Sequence, residues 1–108
     1  MLHKKTLEKA LTEIKELLTA SFPVARLILF GSAARGEMDE ESDVDVLLLT
    51  KRPLSREEHD GVTSLVFKIN LRLGTNLSLL VIDEDAWEKG PISALPVHDE
   101  IEEQGILL

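Results

Sequence analysis

Two short apolar runs, residues 27–30 and 44–49, lie on either side of a polar connection in this chain. Runs of this length, bounded by turn-forming residues, are typical of buried β-strands, and the first strand is predicted over residues 24–30. Residues 30–45 read F-G-S-A-A-R-G-E-M-D-E-E-S-D-V-D. They predict the end of a strand, a glycine turn, a short helix that begins at Ala33, an acidic loop and the start of a second strand. This unit constrains the fold more than any other part of the sequence.

The segments around this unit predict two longer helices and a third strand. Apolar residues at helical spacing predict an amphipathic helix over residues 6–20. Ser55, followed three residues later by Glu58, predicts a capping box at the start of a helix that Gly74 ends. Alternating residues predict a strand over 76–82. Helices then flank a small sheet.

The C-terminal part predicts two short helices and an apolar tail. Residues 83–89 form a helical turn in which Trp87 anchors the core or a lid, and residues 96–104 form a last helix. His98 is expected to be a surface residue rather than a ligand. Residues 106–108 form a tail that either covers a sheet edge or contacts a partner.

Asp43 and Asp45 are the strongest candidates for chemistry. Side chains two residues apart on a strand point to the same face, so both carboxylates face one way. Two like charges beside an apolar strand are costly unless they bind a cation, and hard oxygen ligands favour magnesium or manganese. The alternative is that Asp43 caps a turn and Asp45 is solvated at the end of an edge strand.

Gly31 and Ser32 predict an anion site directly after the first strand. Glycine permits close approach of a ligand to the backbone, and the N–H groups at the start of a helix attract a phosphate. The alternative is an ordinary turn glycine followed by a helix cap. Arg35 is either a second phosphate contact or a surface charge.

The combination of these motifs resembles a known signature. F-G-S, ten further residues and D-V-D-V are similar to the signature of the DNA polymerase β-like nucleotidyltransferases. The form G-S-x-A-R-G-x-x-x-x-x-S-D-x-D resembles the minimal nucleotidyltransferase (MNT) family. The resemblance implies an α/β (α+β) nucleotidyltransferase fold, in which helices flank a small mixed β-sheet, and one domain over residues 1–108.

The resemblance also implies the roles of the site residues. It assigns the nucleotide phosphates of ATP to four residues, which are Gly31, Ser32, Arg35 and Ser42. It makes Asp43 and Asp45 catalytic ligands of two Mg²⁺ ions. Active members carry a third carboxylate on the third strand as general base, where this sequence offers Asn76 or Ser78, and Asn76 is the candidate substitute. Neither an amide nor a hydroxyl accepts a proton near neutral pH.

The resemblance implies a protein partner as well. Minimal nucleotidyltransferases are commonly encoded beside a HEPN-domain toxin, to which the antitoxin transfers AMP from ATP. The alternative is a catalytically impaired nucleotide-binding or protein-binding module that neutralises its partner by complex formation. Transfer to a small molecule is disfavoured because no further domain is present to bind one.

Composition limits the other classes of function. The net charge of -8 disfavours a surface for long nucleic acid and favours a basic protein partner. The absence of cysteine excludes disulfides, and no apolar run has the length of a membrane span. We expect a cytoplasmic protein, in which homo-oligomerisation is an open question.

Overall fold

The computed structural model describes residues 4–37 and 43–108. Their elements, in chain order, are α1 (Lys4–Ser21), β1 (Val24–Phe30), β2 (Val44–Thr50), α2 (Arg56–Leu73), β3 (Leu77–Asp83), α3 (Glu84–Lys89), a 3-10 helix (Pro91–Ala94), α4 (Pro96–Gln104) and β4 (Ile106–Leu107). The predicted helices at both ends of the chain and the three predicted strands are confirmed, with boundaries that differ by one or two residues.

The strands form one mixed sheet in the order β3-β2-β1-β4. β1 and β2 are antiparallel, β4 is antiparallel to β1, and β2 and β3 are parallel. A parallel pair needs a crossover connection, which α2 supplies between β2 and β3. The prediction of a small mixed sheet flanked by helices is therefore confirmed.

Alternating side chains of β2 serve two separate cores. Val44, Val46 and Leu48 pack in the cluster that contains residues of α1 and α2, whereas Leu47 and Leu49 pack in the cluster of α3 and α4. This division follows from the two-residue period of a strand, because the sheet has helices on both faces.

The connection after β1 differs from the prediction, because residues 31–36 form turns and no helix begins at Ala33. Gly36 adopts a left-handed conformation with φ of 71°. Its N–H donates to the Ala33 carbonyl, and the Glu37 N–H donates to the Ser32 carbonyl. These two bonds form a Schellman motif, which ends a helix. The segment stops after one helical turn because its terminating glycine comes so early.

The predicted capping box of α2 is confirmed. The Ser55 hydroxyl accepts a hydrogen bond from the Glu58 N–H at 3.1 Å, and a Glu58 carboxylate oxygen accepts one from the Ser55 N–H at 2.9 Å. Arg52 donates to both oxygens of the same carboxylate. Gly74, with φ of 66°, ends the helix as predicted. The connection between β2 and α2 is therefore fixed by charge-assisted hydrogen bonds.

Helices α3 and α4 cover part of the sheet face that carries Leu47 and Leu49. Trp87 is fully buried and donates from Nε1 to the Glu102 carboxylate at 2.6 Å, which makes it a core anchor. The expected surface position of His98 is wrong: only 16% of its side chain is exposed, and its ring centroid lies 4.4 Å from that of Trp87. The helical turn of α4 brings the imidazole onto the indole, and neither residue alone signals this contact.

The apolar tail covers a sheet edge, as one of the two predicted alternatives states. β4 pairs with β1 through Ile28 and Leu29, and the Leu108 N–H donates to the Leu27 carbonyl at 2.9 Å. Pairing satisfies backbone groups that an open edge would leave to solvent. None of the described helices, which lie within residues 4–37 and 43–108, is long and apolar enough to cross a membrane.

Glu58 should make stability depend on pH. Its hydrogen bonds to Arg52 and to the Ser55 backbone lower its pKa from 4.5 to about 2. A lowered folded-state pKa stabilises the protein above the unfolded value, and this contribution is lost as pH falls toward 2. We expect Glu58→Gln to lower the denaturation midpoint at neutral pH, and the difference from the wild-type protein to shrink as pH falls through this window. Glu57→Gln, in the same helical turn, is the control; an equal effect of both changes would contradict the prediction.

Candidate active site

Asp43 and Asp45 lie at the start of β2, on the sheet face that α3 and α4 cover farther along the strand. Within β2, Asp45 is the one residue that is not buried. Its neighbour across the antiparallel pair is Phe30, and its neighbour on the parallel strand is Ser78. Among the described residues, Leu47 and Leu49 pack in a hydrophobic cluster and Asp45 does not, so the acidic pair lies at the polar end of this sheet face.

The carboxylate of Asp45 lies against the backbone of Gly31. A Cβ atom at position 31 would stand 2.6 Å from Oδ2 of Asp45, closer than van der Waals contact allows. Gly31 also has φ of 74°, a conformation that L side chains rarely adopt. Glycine is thus required here for two independent reasons, and the predicted turn and the predicted acidic pair meet at this contact.

The electrostatics of the pair suit a cation. Partial burial raises the pKa of Asp45, and the nearby charge of Asp43 raises it further. Both causes mean that the ionised form is disfavoured in the free protein, and a bound cation would reverse this by offsetting the charge. Oxygen donors of this kind are those that Mg²⁺ prefers.

Asn76 and Ser78 complete the rim of the acidic pair. The side-chain amide of Asn76 donates to Oδ1 of Asp43, and the backbone carbonyl of Asn76 accepts a hydrogen bond from the Val44 N–H at 2.9 Å. The register sets Ser78 beside Asp45. Within residues 4–37 and 43–108, no group of three or more His, Asp or Glu side chains is placed to hold a metal ion. The two carboxylates supply oxygen ligands for a divalent cation, which is one carboxylate short of the set that the resemblance implies.

The predicted phosphate-binding residues are brought only partly together. Gly31 and Ser32 begin the turn beside Asp45, whereas the guanidinium of Arg35 pairs with the Glu37 carboxylate at 3.0 Å on the exposed side of the turn. Because residues 31–36 form turns, the expected helix N-terminus is not available as an anion site. Ser42 lies outside the described residues. The phosphate-binding roles of these residues stay predictions.

A cavity of about 190 Å³ lies between the Gly31 turn and α4. Its α4 wall consists of Val97, Glu100, Ile101 and Gln104. Sequence reasoning missed these residues, because they lie more than fifty positions from the motif. The spacing of i, i+3, i+4 and i+7 places them on one helix face, but gives no sign of what that face contacts.

Comparison with known proteins decides the family. The Nucleotidyltransferase domain family matches residues 7–108. This chain belongs to the nucleotidyltransferase family. A relative from Methanocaldococcus jannaschii, provisionally named a protein adenylyltransferase, is 33% identical over 84 residues, which cover 76% of this chain and 79% of that protein. A second relative from the same organism, also provisionally named a protein adenylyltransferase, is 41% identical over 56 residues, which span 52% of this chain and 57% of that protein.

Solved structures support the same fold. A structure provisionally described as a minimal nucleotidyltransferase aligns with a TM-score of 0.69 and 20% identity over 99% of this chain and 97% of that chain. A chain from a crystal structure of a toxin-antitoxin with AMP-PNP aligns with a TM-score of 0.58 and 17% identity, over 98% of this nucleotidyltransferase and 72% of that chain. At these identities the likeness shows the fold. The resemblance to minimal nucleotidyltransferases is confirmed by these comparisons together.

The contact between Gly31 and Asp45 can be tested against a matched glycine. Gly36 has φ of 71°, but a Cβ atom there would meet nothing within 4 Å. Both Gly31→Ala and Gly36→Ala should therefore lose about 1–2 kcal/mol of stability from backbone strain. Only Gly31→Ala should also displace the Asp45 carboxylate, which would be measured as a changed pKa in a carboxyl NMR titration. An unchanged Asp45 titration in a folded Gly31→Ala variant would contradict this prediction.

Proposed function

We propose that this nucleotidyltransferase transfers AMP from ATP to a hydroxyl group of a partner protein in an Mg²⁺-dependent reaction. The observation that carries the proposal is the contact of the Asp45 carboxylate with the Gly31 turn, with Asp43 two residues before it. A carboxylate pair suits the metal that accompanies a nucleoside triphosphate, and a tight glycine turn beside it suits the phosphates. The proteins it resembles by sequence support the same reaction, because they are provisionally named protein adenylyltransferases.

Some residues of the site would bind the metal and others would bind the phosphates of the substrate. Asp43 and Asp45 would hold Mg²⁺, which when bound polarises a phosphoryl oxygen and stabilises the developing charge. Two ions are expected from the resemblance. Gly31 and Ser32 would orient the triphosphate, together with Arg35 and Ser42. The acceptor hydroxyl would lose its proton to solvent as its oxygen forms a bond to the α-phosphorus, and the bond from the α-phosphorus to the bridging oxygen would break to release pyrophosphate.

A HEPN-domain toxin is the acceptor that we propose, with this chain as its antitoxin. The similarity in fold to chains from toxin-antitoxin structures supports a protein partner. The net charge of -8 favours a partner with a basic surface. The identity of the partner rests on the resemblance to minimal nucleotidyltransferases.

A second candidate function follows from Asn76. Its amide contacts Asp43 and cannot accept the proton of an attacking hydroxyl. A chain that lacks this base would bind nucleotide or partner without efficient transfer, and would neutralise its partner by complex formation. The two candidates differ in whether the toxin is chemically changed.

The deciding experiment measures the intact mass of the HEPN partner after incubation with this protein, Mg²⁺ and ATP. The proposal predicts a gain of one or more AMP units, which Asp45→Asn should abolish and the exposed control Asp60→Asn on α2 should retain. Transfer that persists in Asp45→Asn would overturn the assignment of the site. A stable complex that silences the partner without a mass change would establish the second candidate.

Asn76→Asp should increase the rate of AMP transfer. The change places a carboxylate beside Asp43, where it would bind the cation and accept a proton, and general-base catalysis supports a gain of at least about tenfold. The measurement is the initial rate of AMP transfer at saturating Mg²⁺. Ser78→Asp is the comparison, since Ser78 faces Asp45 in the register. A gain confined to Ser78→Asp would mean that the third position lies two residues farther along β3.

A further inference from the structure

The cavity between the Gly31 turn and α4 borders the acidic pair without being part of it. Gly31 contributes to the cavity wall and contacts Asp45. Phe30 also lines the cavity, and it is the cross-strand neighbour of Asp45. Side chains of directly opposed residues on antiparallel strands lie close enough to touch. A nucleotide whose phosphates contact the Gly31 turn would therefore have this cavity within reach.

The size and the floor of the cavity suit one flat apolar group. Its volume of about 190 Å³ is below the range of sites that enclose a whole drug-sized ligand, which begins at about 300 Å³. Phe30, Ala34 and Ile101 supply an aromatic and aliphatic surface, and Ile101 is 3% exposed. An aromatic ring beside aliphatic carbon favours a heteroaromatic base. The ribose and the phosphates would remain outside.

The charge on the α4 side of the cavity disfavours phosphates. Glu100 lines the cavity from α4, whereas Arg35 lines it from the Gly31 turn, where the proposed function has it contact the phosphates. A triphosphate would be repelled by this carboxylate, whereas an uncharged base with hydrogen-bond donors would be attracted. A nucleotide with its phosphates beside the Gly31 turn and its base beside α4 would keep the phosphates away from the Glu100 carboxylate.

We infer that this cavity is the adenine subsite, with Glu100 and Gln104 as the residues that distinguish adenine from guanine. A carboxamide matches the amino group and adjacent ring nitrogen of adenine with one acceptor and one donor. A carboxylate accepts from the adenine amino group and repels the carbonyl that guanine carries at the same ring position. Glu100 and Gln104 are four residues apart on α4, so both side chains reach the same opening. This inference rests on the proposed nucleotide-binding function and adds its base specificity.

The test compares two charge-matched variants of α4. Glu100 lines the cavity and Glu103 does not, although both are exposed glutamates of one helix. Binding of ATP, GTP and tripolyphosphate, each with Mg²⁺, is measured by calorimetry on Glu100→Gln and Glu103→Gln. Glu100→Gln should reduce the preference for ATP over GTP by about tenfold, because the new amide can donate to the guanine carbonyl. Glu103→Gln should keep the preference, and tripolyphosphate binding should be alike in both variants.

Gln104→Leu provides the second variant. It removes the paired donor and acceptor from the cavity rim and should weaken ATP binding by about tenfold without weakening tripolyphosphate binding. Equal ATP and GTP affinities in the wild-type protein, or an unchanged preference in both Glu100→Gln and Gln104→Leu, would overturn the inference. Thermal unfolding of each variant verifies that the fold is retained.

The outcomes separate this inference from the proposed function. Suppose that AMP transfer depends on Asp45 but that neither Glu100→Gln nor Gln104→Leu changes the preference for ATP over GTP. The proposed function would then be retained, and the adenine subsite would be rejected. A preference for ATP that depends on Glu100, combined with no AMP transfer to any partner, would support the subsite in a protein that binds nucleotide without reacting.

Discussion

Asp45 introduces a charge into a strand that is otherwise buried, and the geometry of the site depends on how the chain accommodates that charge. The preceding and following residues, Val44 and Val46, are fully buried on the other face, so the backbone of β2 cannot rotate to release the carboxylate to solvent. The chain instead places Gly31, which has no side chain, against the carboxylate. The left-handed conformation of Gly31 and the partial burial of Asp45 therefore depend on each other, because a side chain at position 31 would displace the carboxylate.

The sheet face that carries Asp45 serves two purposes along its length. Toward one end, Leu47 and Leu49 pack with Trp87 and Ile101 from α3 and α4, which fixes the strands in place. Toward the other end lie Asp43 and Asp45, with Asn76 and the exposed Ser78 beside them. Rigid packing next to open carboxylates is what a site needs if metal ligands are to keep their positions. The 190 Å³ cavity lies where these two regions meet.

The position beside Asp43 is where this nucleotidyltransferase departs from the pattern that its family resemblance implies. An amide in contact with a carboxylate lowers local repulsion and orders the pair without metal, which a third carboxylate would not do. The same substitution removes a proton acceptor. In the proposed function, Asn76 orders Asp43 in the free protein and supplies no general base, which suits either a slow transferase or a protein that neutralises its partner by binding.

Local sequence signals predicted much of the fold. Helix α1, the capped helix α2, the three main strands and the covered sheet edge all follow from periodicity, caps and turn residues, which act over a few positions. The short helix at Ala33 was wrong because Gly36 completes a Schellman motif after one turn, and a terminating glycine overrides helix propensity when it comes this early. His98 was misplaced because its burial depends on Trp87, eleven residues away.

The sequence by itself determined the family, the acidic pair and its common face, because the glycine-serine turn and the alternation around Val44 are short-range patterns. Only the tertiary structure decided that Gly31 touches Asp45, that Asn76 contacts Asp43 and that Glu100 and Gln104 line a cavity beside them. These contacts join residues that are 14, 33 and about 70 positions apart. Their formation depends on strand register and on the packing of α4, which arise from the combined burial of many side chains and leave no signature at any one position.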